Sequence, residues 1–135
     1  MPGFLNAYVV AAIHDDQIRL FGGVPGVRDW SLLGRGVAQP AATCDGRVLY
    51  KDPHAMAAAL GHGIITAHPF VDGNKRAGGM DMLAFLALNG LGVDIPEAAY
   101  YELVMAVASG SMPREELAES LRRWTKSSNG RAQPE

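Results

Sequence analysis

At 135 residues the chain has the length of one domain, enough for a single hydrophobic core without disulfide or metal staples. Hydrophobic residues make up 48% and charged residues 19%, and 12 Lys+Arg against 14 Asp+Glu leave a net charge of -2. That balance excludes a broad electrostatic drive toward nucleic acid or anionic lipid, so any phosphate binding must come from a local cluster. A single cysteine, Cys44, excludes an internal disulfide, a thiolate metal cage and a CxxC redox pair. With no basic start and no long apolar run at the N-terminus, the expected compartment is the cytoplasm.

The first element is an amphipathic helix over residues 4–18, with Leu5, Tyr8, Val9, Ala12 and Ile13 at helical spacing. Gly22-Gly23-Val24-Pro25-Gly26 reads as a loop, and a second helix is expected from Val27, carrying Trp30, Leu32 and Leu33 and closed by Pro40. Thr43 to Tyr50 contains an Asp45-Gly46 turn between strand-tolerant residues, which predicts a short hairpin, and nothing else in the chain reads as sheet. Asp52-Pro53 is a helix start, an N-cap residue followed by proline at the first helical position. That helix should stop near His68, because the residue before Pro69 disfavours helical dihedrals. A long helix follows from Asn74 to the stop signal Asn89-Gly90. Two more run from about Pro96-Glu97 to Gly110 and from Ser111-Met112-Pro113 onward, the latter with Glu115 and Glu116 in its first turn. Residues 1–126 are expected to form one domain, and the polar tail 127–135 to be disordered. The stretch from Pro53 to Val71 contains no Asp, Glu, Lys or Arg, yet three histidines, two glycines and a proline interrupt it, so a buried helix and a loop explain it better than a membrane span.

Polar chemistry concentrates in one place. The segments 53–67 and 77–93 are almost without charge, Asp81 excepted, and helices apolar nearly all round are buried at the centre of a fold. The connector between them nevertheless holds His68, Asp72, Asn74, Lys75 and Arg76. Such a cluster is costly unless it faces a cleft and binds something. Gly73 and Asn74 stand where the second helix begins, so its unpaired N–H groups and positive dipole end make an anion site. Lys75 and Arg76 add full charges, and a guanidinium can hold two oxygens at once. Asp72 offers the hard oxygen that a phosphate-bound Mg²⁺ takes from a protein. His68 can accept a proton from a hydroxyl at neutral pH. Phe70, between these polar residues, is expected to anchor the connector in the core.

The string His68-Pro69-Phe70-Val71-Asp72-Gly73-Asn74-Lys75-Arg76 resembles the signature of the Fic/Doc family, His-x-Phe-x-(Asp/Glu)-(Gly/Ala)-Asn-(Gly/Lys)-Arg, with every fixed position met. Gly22-Gly23, Gly26-Val27-Arg28-Asp29, Leu32-Leu33, Pro40, Asp45-Gly46, Phe85-Leu86 and Asn89-Gly90 are similar to the death-on-curing (Doc) branch. The resemblance implies an all-α Fic/Doc-type bundle of about six helices with the hairpin as a flap beside the active site. It further implies transfer of a phosphate-containing group from a nucleotide to a protein hydroxyl. Where the AMP-transferring branch has glycine, Lys75 gives the Doc pattern, in which the γ-phosphate of ATP is transferred by a Ser/Thr kinase. His68 would then be the general base, Asp72 would hold Mg²⁺, and Gly73, Asn74, Lys75 and Arg76 would bind the phosphates. Doc-type proteins are toxins held by an antitoxin in trans, and the branch target is elongation factor Tu, whose modification stops translation. AMP transfer, or an idle binding module on the same fold, stay open as alternatives.

The chain departs from relatives in three places: Ala67 where asparagine is common, Gly34 where glutamate is, and Gly78-Gly79 where better helix formers stand. The family's self-inhibitory pattern, Ser/Thr-x-x-x-Glu-Gly/Asn, does not occur, so control by a separate partner is expected. His54 and His62 are rotated about 80° apart on one helix and make a poor metal pair. His14 reads as a polar helix end, Arg122-Arg123 as a solvated one, and Arg47 and Tyr50 as candidate target guides on the flap.

Overall fold

The computed structural model describes residues 2–126. Among these residues six α-helices form the expected all-α bundle: α1 (Ala7–Phe21), α2 (Trp30–Ala38), α3 (Pro53–Ala67), α4 (Asn74–Leu88), α5 (Glu97–Ser109) and α6 (Arg114–Arg123). The tail expected to be disordered, 127–135, lies outside the described residues. Among the described residues no helix is long and apolar enough to cross a membrane.

The helical hairpin of α3 and α4 is the axis of the fold. The Asp52 carboxylate accepts the N–H of Ala55 and starts α3, with Pro53 in the first turn. Along α3, residues Met56 to Gly61, Ile64 and Ile65 are buried, and along α4 Ala77, Gly78, Gly79, Met82, Phe85 and Leu86 are. The two helices meet backbone to backbone. A Cβ on Gly78 would lie 2.5 Å from Ile65 Cγ1 and 2.9 Å from the Gly61 carbonyl, and one on Gly61 would lie 3.1 Å from the Gly78 carbonyl. At Gly79 the Tyr100 hydroxyl of α5 occupies the place a Cβ would take, 2.0 Å from it. The helix-weakening Gly78-Gly79 pair is therefore required by packing.

The remaining helices wrap this pair. Gly36 of α2 abuts Ile64, Val10 and Ile18 of α1 are buried, and Leu117 and Leu121 of α6 close the far side. Strands β1 (Thr43–Cys44) and β2 (Arg47–Val48) form the expected hairpin, pairing Thr43 with Val48 and Cys44 with Arg47. Its turn places both Asp45 (φ 53°) and Gly46 (φ 77°) in the left-handed region, as a tight two-residue hairpin turn requires. The Tyr50 hydroxyl accepts a hydrogen bond from Arg114 at 2.5 Å and faces Gln39 at 3.4 Å, and Arg47 is exposed.

Three expectations are corrected. A second sheet exists: β3 (Gly92–Val93) pairs antiparallel with β4 (Thr125–Lys126), held by chain-distant partners that neither two-residue run announces. Helix α1 covers 7–21, because the Asn6 side chain accepts the Val9 N–H and the helix continues to Gly22. Helix α2 begins at Trp30, because Asp29 caps it through the N–H groups of Ser31 and Leu32 while 26–28 are committed elsewhere. The two histidines of α3 have separate surroundings. His54 Nε2 bonds the Thr125 hydroxyl at 2.8 Å, and His62, lowered from its ordinary pKa by burial and then by Arg114, stands near α6. Arg122 is half-buried and paired with Asp52 at 2.8 Å and Glu119 at 3.3 Å.

One buried group is orphaned. Asp81 is fully buried on α4, and neither carboxylate oxygen has a hydrogen-bond partner among the described residues. Burial pushes its pKa well above the ordinary 3.8. The native state thus keeps a proton that the unfolded chain has lost, so stability falls as pH rises from about 4 toward the raised native value. Asp81→Asn, which removes the charge and keeps the shape, is expected to raise the melting temperature at pH 8 and to leave that at pH 4 nearly unchanged. Equal melting shifts at the two pH values would contradict a protonated Asp81.

Candidate active site

The connector between α3 and α4 is shaped by where its backbone groups find partners. His68 ends α3 in the left-handed conformation (φ 55°, ψ 57°), with its N–H on the Ile64 carbonyl at 3.3 Å. Proline at 69 forbids a further helical turn, and a non-glycine residue persists in this region only where its surroundings hold it. Arg28 supplies the hold: Nε donates to the His68 carbonyl at 2.8 Å and Nη2 to the Ala67 carbonyl at 3.2 Å. A guanidinium here also meets the negative end of the α3 dipole. The N–H groups of Arg28 and Asp29 bond the Pro69 carbonyl at 2.7 and 3.0 Å, the Val71 N–H bonds the Gly26 carbonyl at 3.1 Å, and Val27 forms a bridge with Phe70. Residues 26–29 are therefore a strap hydrogen-bonded along the connector.

Phe70 is buried, as expected, and its ring stacks on His14 with centroids 3.8 Å apart and planes 7° from parallel. The reading of His14 as a polar helix end is overturned. It is 3% exposed, and Nε2 reaches the Asp72 carbonyl at 2.7 Å. The buried Asn74 side chain is likewise occupied by the connector, accepting the Phe70 N–H at 2.9 Å and donating to the Phe70 carbonyl at 3.0 Å.

What remains outward is a compact polar set. The exposed Asp72 carboxylate accepts the Val24 N–H at 3.0 Å and the Gly73 N–H at 2.8 Å, and those two bonds hold its pKa below the ordinary value. It is ionised at neutral pH, with lone pairs to spare. Gly73 caps α4 at φ 74°, and a Cβ there would press on Ile18 at 3.3 Å and His14 at 3.5 Å. The N–H groups of Asn74, Lys75 and Arg76, first in the helix, have no acceptor among the described residues. Lys75 is exposed and without a carboxylate partner there. Arg76 Nη1 donates to the carbonyls of Gln17 and Gly22 at 3.2 and 3.0 Å, at the end of α1. His68 is exposed, beside the strap.

Three helix ends therefore converge here. Arg28 covers the negative end of α3 and Arg76 that of α1, while the positive end of α4 is left open beside Lys75. This donor set suits a polyphosphate. The described residues contain no group of three or more His, Cys, Asp or Glu able to hold a metal, so a cation at Asp72 would depend on phosphate oxygens for its other bonds, as Mg²⁺ does with nucleotides. Sequence reasoning missed His14 and gave Arg28 no role, although position 14 continues the buried stripe of Val10 and Ile18. Gly34 has open space around its Cα, so the departure there disturbs nothing in the structure.

Comparisons with known proteins point to a single family. The family model described as Fic/DOC family matches residues 4–86. "Toxin Doc" of Mycolicibacterium smegmatis (strain ATCC 700084 / mc(2)155) is 36% identical over 103 residues, which cover 75% of this chain and 79% of that protein. "Protein kinase doc" of Escherichia phage P1 is 33% identical over 120 residues, 83% of this chain and 87% of that protein.

Proposed function

The chain belongs to the Fic/DOC family, and on that premise we propose that it is a Doc-type toxin of a toxin–antitoxin pair, a kinase that moves the γ-phosphate of ATP to a Ser/Thr hydroxyl of a target protein. The observation that carries this reading is the open start of α4: three N–H groups without acceptors and a Lys75 without a carboxylate partner among the described residues, on the connector that also holds the exposed His68 and the ionised Asp72. Elongation factor Tu is the target that the family resemblance suggests, with arrested translation as the consequence. A separate antitoxin and a cytoplasmic setting belong to the same proposal.

Phosphoryl transfer needs positioning and charge neutralisation more than covalent chemistry. The N–H groups of Asn74, Lys75 and Arg76, with the Lys75 ammonium, would receive phosphate oxygens. The Asn74 side chain is taken up by Phe70, so its contribution is the backbone N–H and the shape of the connector. Arg76 has Nη1 bound to the end of α1 and offers its remaining N–H groups. Mg²⁺, held by Asp72, would supply further neutralisation of phosphate charge. His68 takes the proton as the target oxygen bonds to the γ-phosphorus, the bond from that phosphorus to the bridging oxygen breaks, and ADP leaves with the electron pair.

The test is incubation with purified elongation factor Tu and ATP labelled at the α- or the γ-phosphate. Label from the γ position alone is the expected result. Label from the α position would make the protein an AMP transferase, and no label from either, with a nucleotide-competent preparation, would reject transfer to this target.

A further inference from the structure

We propose that His14 is a positioning residue of the site, the lock on the peptide between Asp72 and Gly73, an assignment that rests on the nucleotide reading given above. The Asp72 carbonyl, held by His14 Nε2 at 2.7 Å, and the Gly73 N–H, which donates to the Asp72 carboxylate at 2.8 Å, belong to one peptide group. Holding one end of that plane holds the other. Rotating it would turn the Gly73 N–H off the carboxylate and shift the residue that caps α4. Glycine resists such a rotation least, because it populates both signs of φ with similar ease, and Gly73 sits at φ 74°. The connector thus has its most easily flipped peptide between the cation-binding carboxylate and the anion-binding helix start, and His14 holds it.

A packing role alone does not account for the residue. Stacking on Phe70 at 3.8 Å would be served by a phenylalanine, without bringing a ring nitrogen into a site that is 3% exposed. A carbonyl accepts only, so Nε2 carries the proton, and a donor at that end of the ring is what the position uses. Groups that orient a metal ligand from behind commonly affect affinity or activity by about 10- to 100-fold.

Two variants separate donor from ring. His14→Phe keeps the stack and loses the donor, while His14→Gln loses the ring and returns an N–H near the place of Nε2. Affinity for Mg²⁺·ATP is measured by calorimetry, Mn²⁺ binding in the presence of ATP by electron paramagnetic resonance, and Gly73 amide exchange in the nucleotide-free protein by NMR, all below each variant's melting temperature. The phenylalanine variant is expected to bind Mg²⁺·ATP about 10- to 100-fold more weakly and to exchange the Gly73 amide faster, with glutamine restoring most of both. Unchanged affinity in His14→Phe, or a loss in His14→Gln as large as in His14→Phe, overturns the assignment while the wild type still binds. Should His14→Phe not fold, the glutamine variant decides: near-wild-type affinity supports the lock and a large loss rejects it. A wild type that binds no Mg²⁺·ATP rejects the nucleotide reading and this assignment with it.

Discussion

Phosphoryl transfer by a His68→Asn variant is expected to fall by about 10²- to 10⁴-fold, the range a positioned general base contributes, while the protein stays folded and still binds Mg²⁺·ATP. Asparagine is the informative replacement because of the backbone. His68 occupies φ 55°, a region asparagine tolerates better than alanine does, so the base is removed with little added strain. The side chain is exposed and forms no hydrogen bond among the described residues, so the change in stability should stay within about 0.5 kcal/mol. Initial rates with saturating nucleotide, alongside thermal melting, provide the check. A variant that transfers at the wild-type rate would remove His68 from the role of base, whatever it did to folding.

The largest effect on stability is expected at Gly78. Replacing it by valine should cost about 2–3 kcal/mol and lower the melting temperature by roughly 10 °C, because the new side chain meets the Gly61 carbonyl and Ile65, and a backbone cannot step aside as a flexible side chain can. Gly78→Ala opposes two effects. Alanine is the better helix former by about 1 kcal/mol, yet its Cβ would stand 2.9 Å from a backbone oxygen and 2.5 Å from Ile65 Cγ1. The contact should win and the variant should lose stability. Gly34 is the control, also inside a helix but with nothing within 4 Å of a new Cβ, so Gly34→Ala should gain about 0.5–1 kcal/mol. Melting curves of the pair decide the matter: if both alanine variants gain stability alike, α3 and α4 do not approach through their backbones.

What could be read from the sequence was local. Asp52-Pro53, Asn89-Gly90 and Asp45-Gly46 each act on their immediate neighbours, and each stands at the boundary it signals. The polar connector was equally visible, because its residues are consecutive between two uncharged helices. Pairings across the chain were not visible. Residues 27–29 read as the start of a helix because the acceptor of the Arg28 and Asp29 N–H groups, the Pro69 carbonyl, lies about forty residues onward. Asp29 was the overlooked clue, since an aspartate that caps α2 implies that the residues before it are extended. His14 was misread for a related reason. Its four-residue spacing from Val10 and Ile18 marks it as inward, but what waits inside, the Asp72 carbonyl and the Phe70 ring, is contributed by another part of the chain. The second strand pair escaped notice because two-residue strands carry no alternation to read.

The far end of α4 gathers the two ends of the described chain. The Gly3 N–H donates to the Asn89 side chain at 2.7 Å and Asn89 donates back to the Gly3 carbonyl at 3.1 Å, while Lys126 pairs with Gly92 just beyond. A helix of 15 residues is about 22 Å long, so both anchor points stand roughly that distance from the connector. A dye, affinity handle or surface tether attached at residue 3 or 126 would stand that far from the connector. Preparations immobilised there should accordingly modify the proposed protein target as readily as the free protein does.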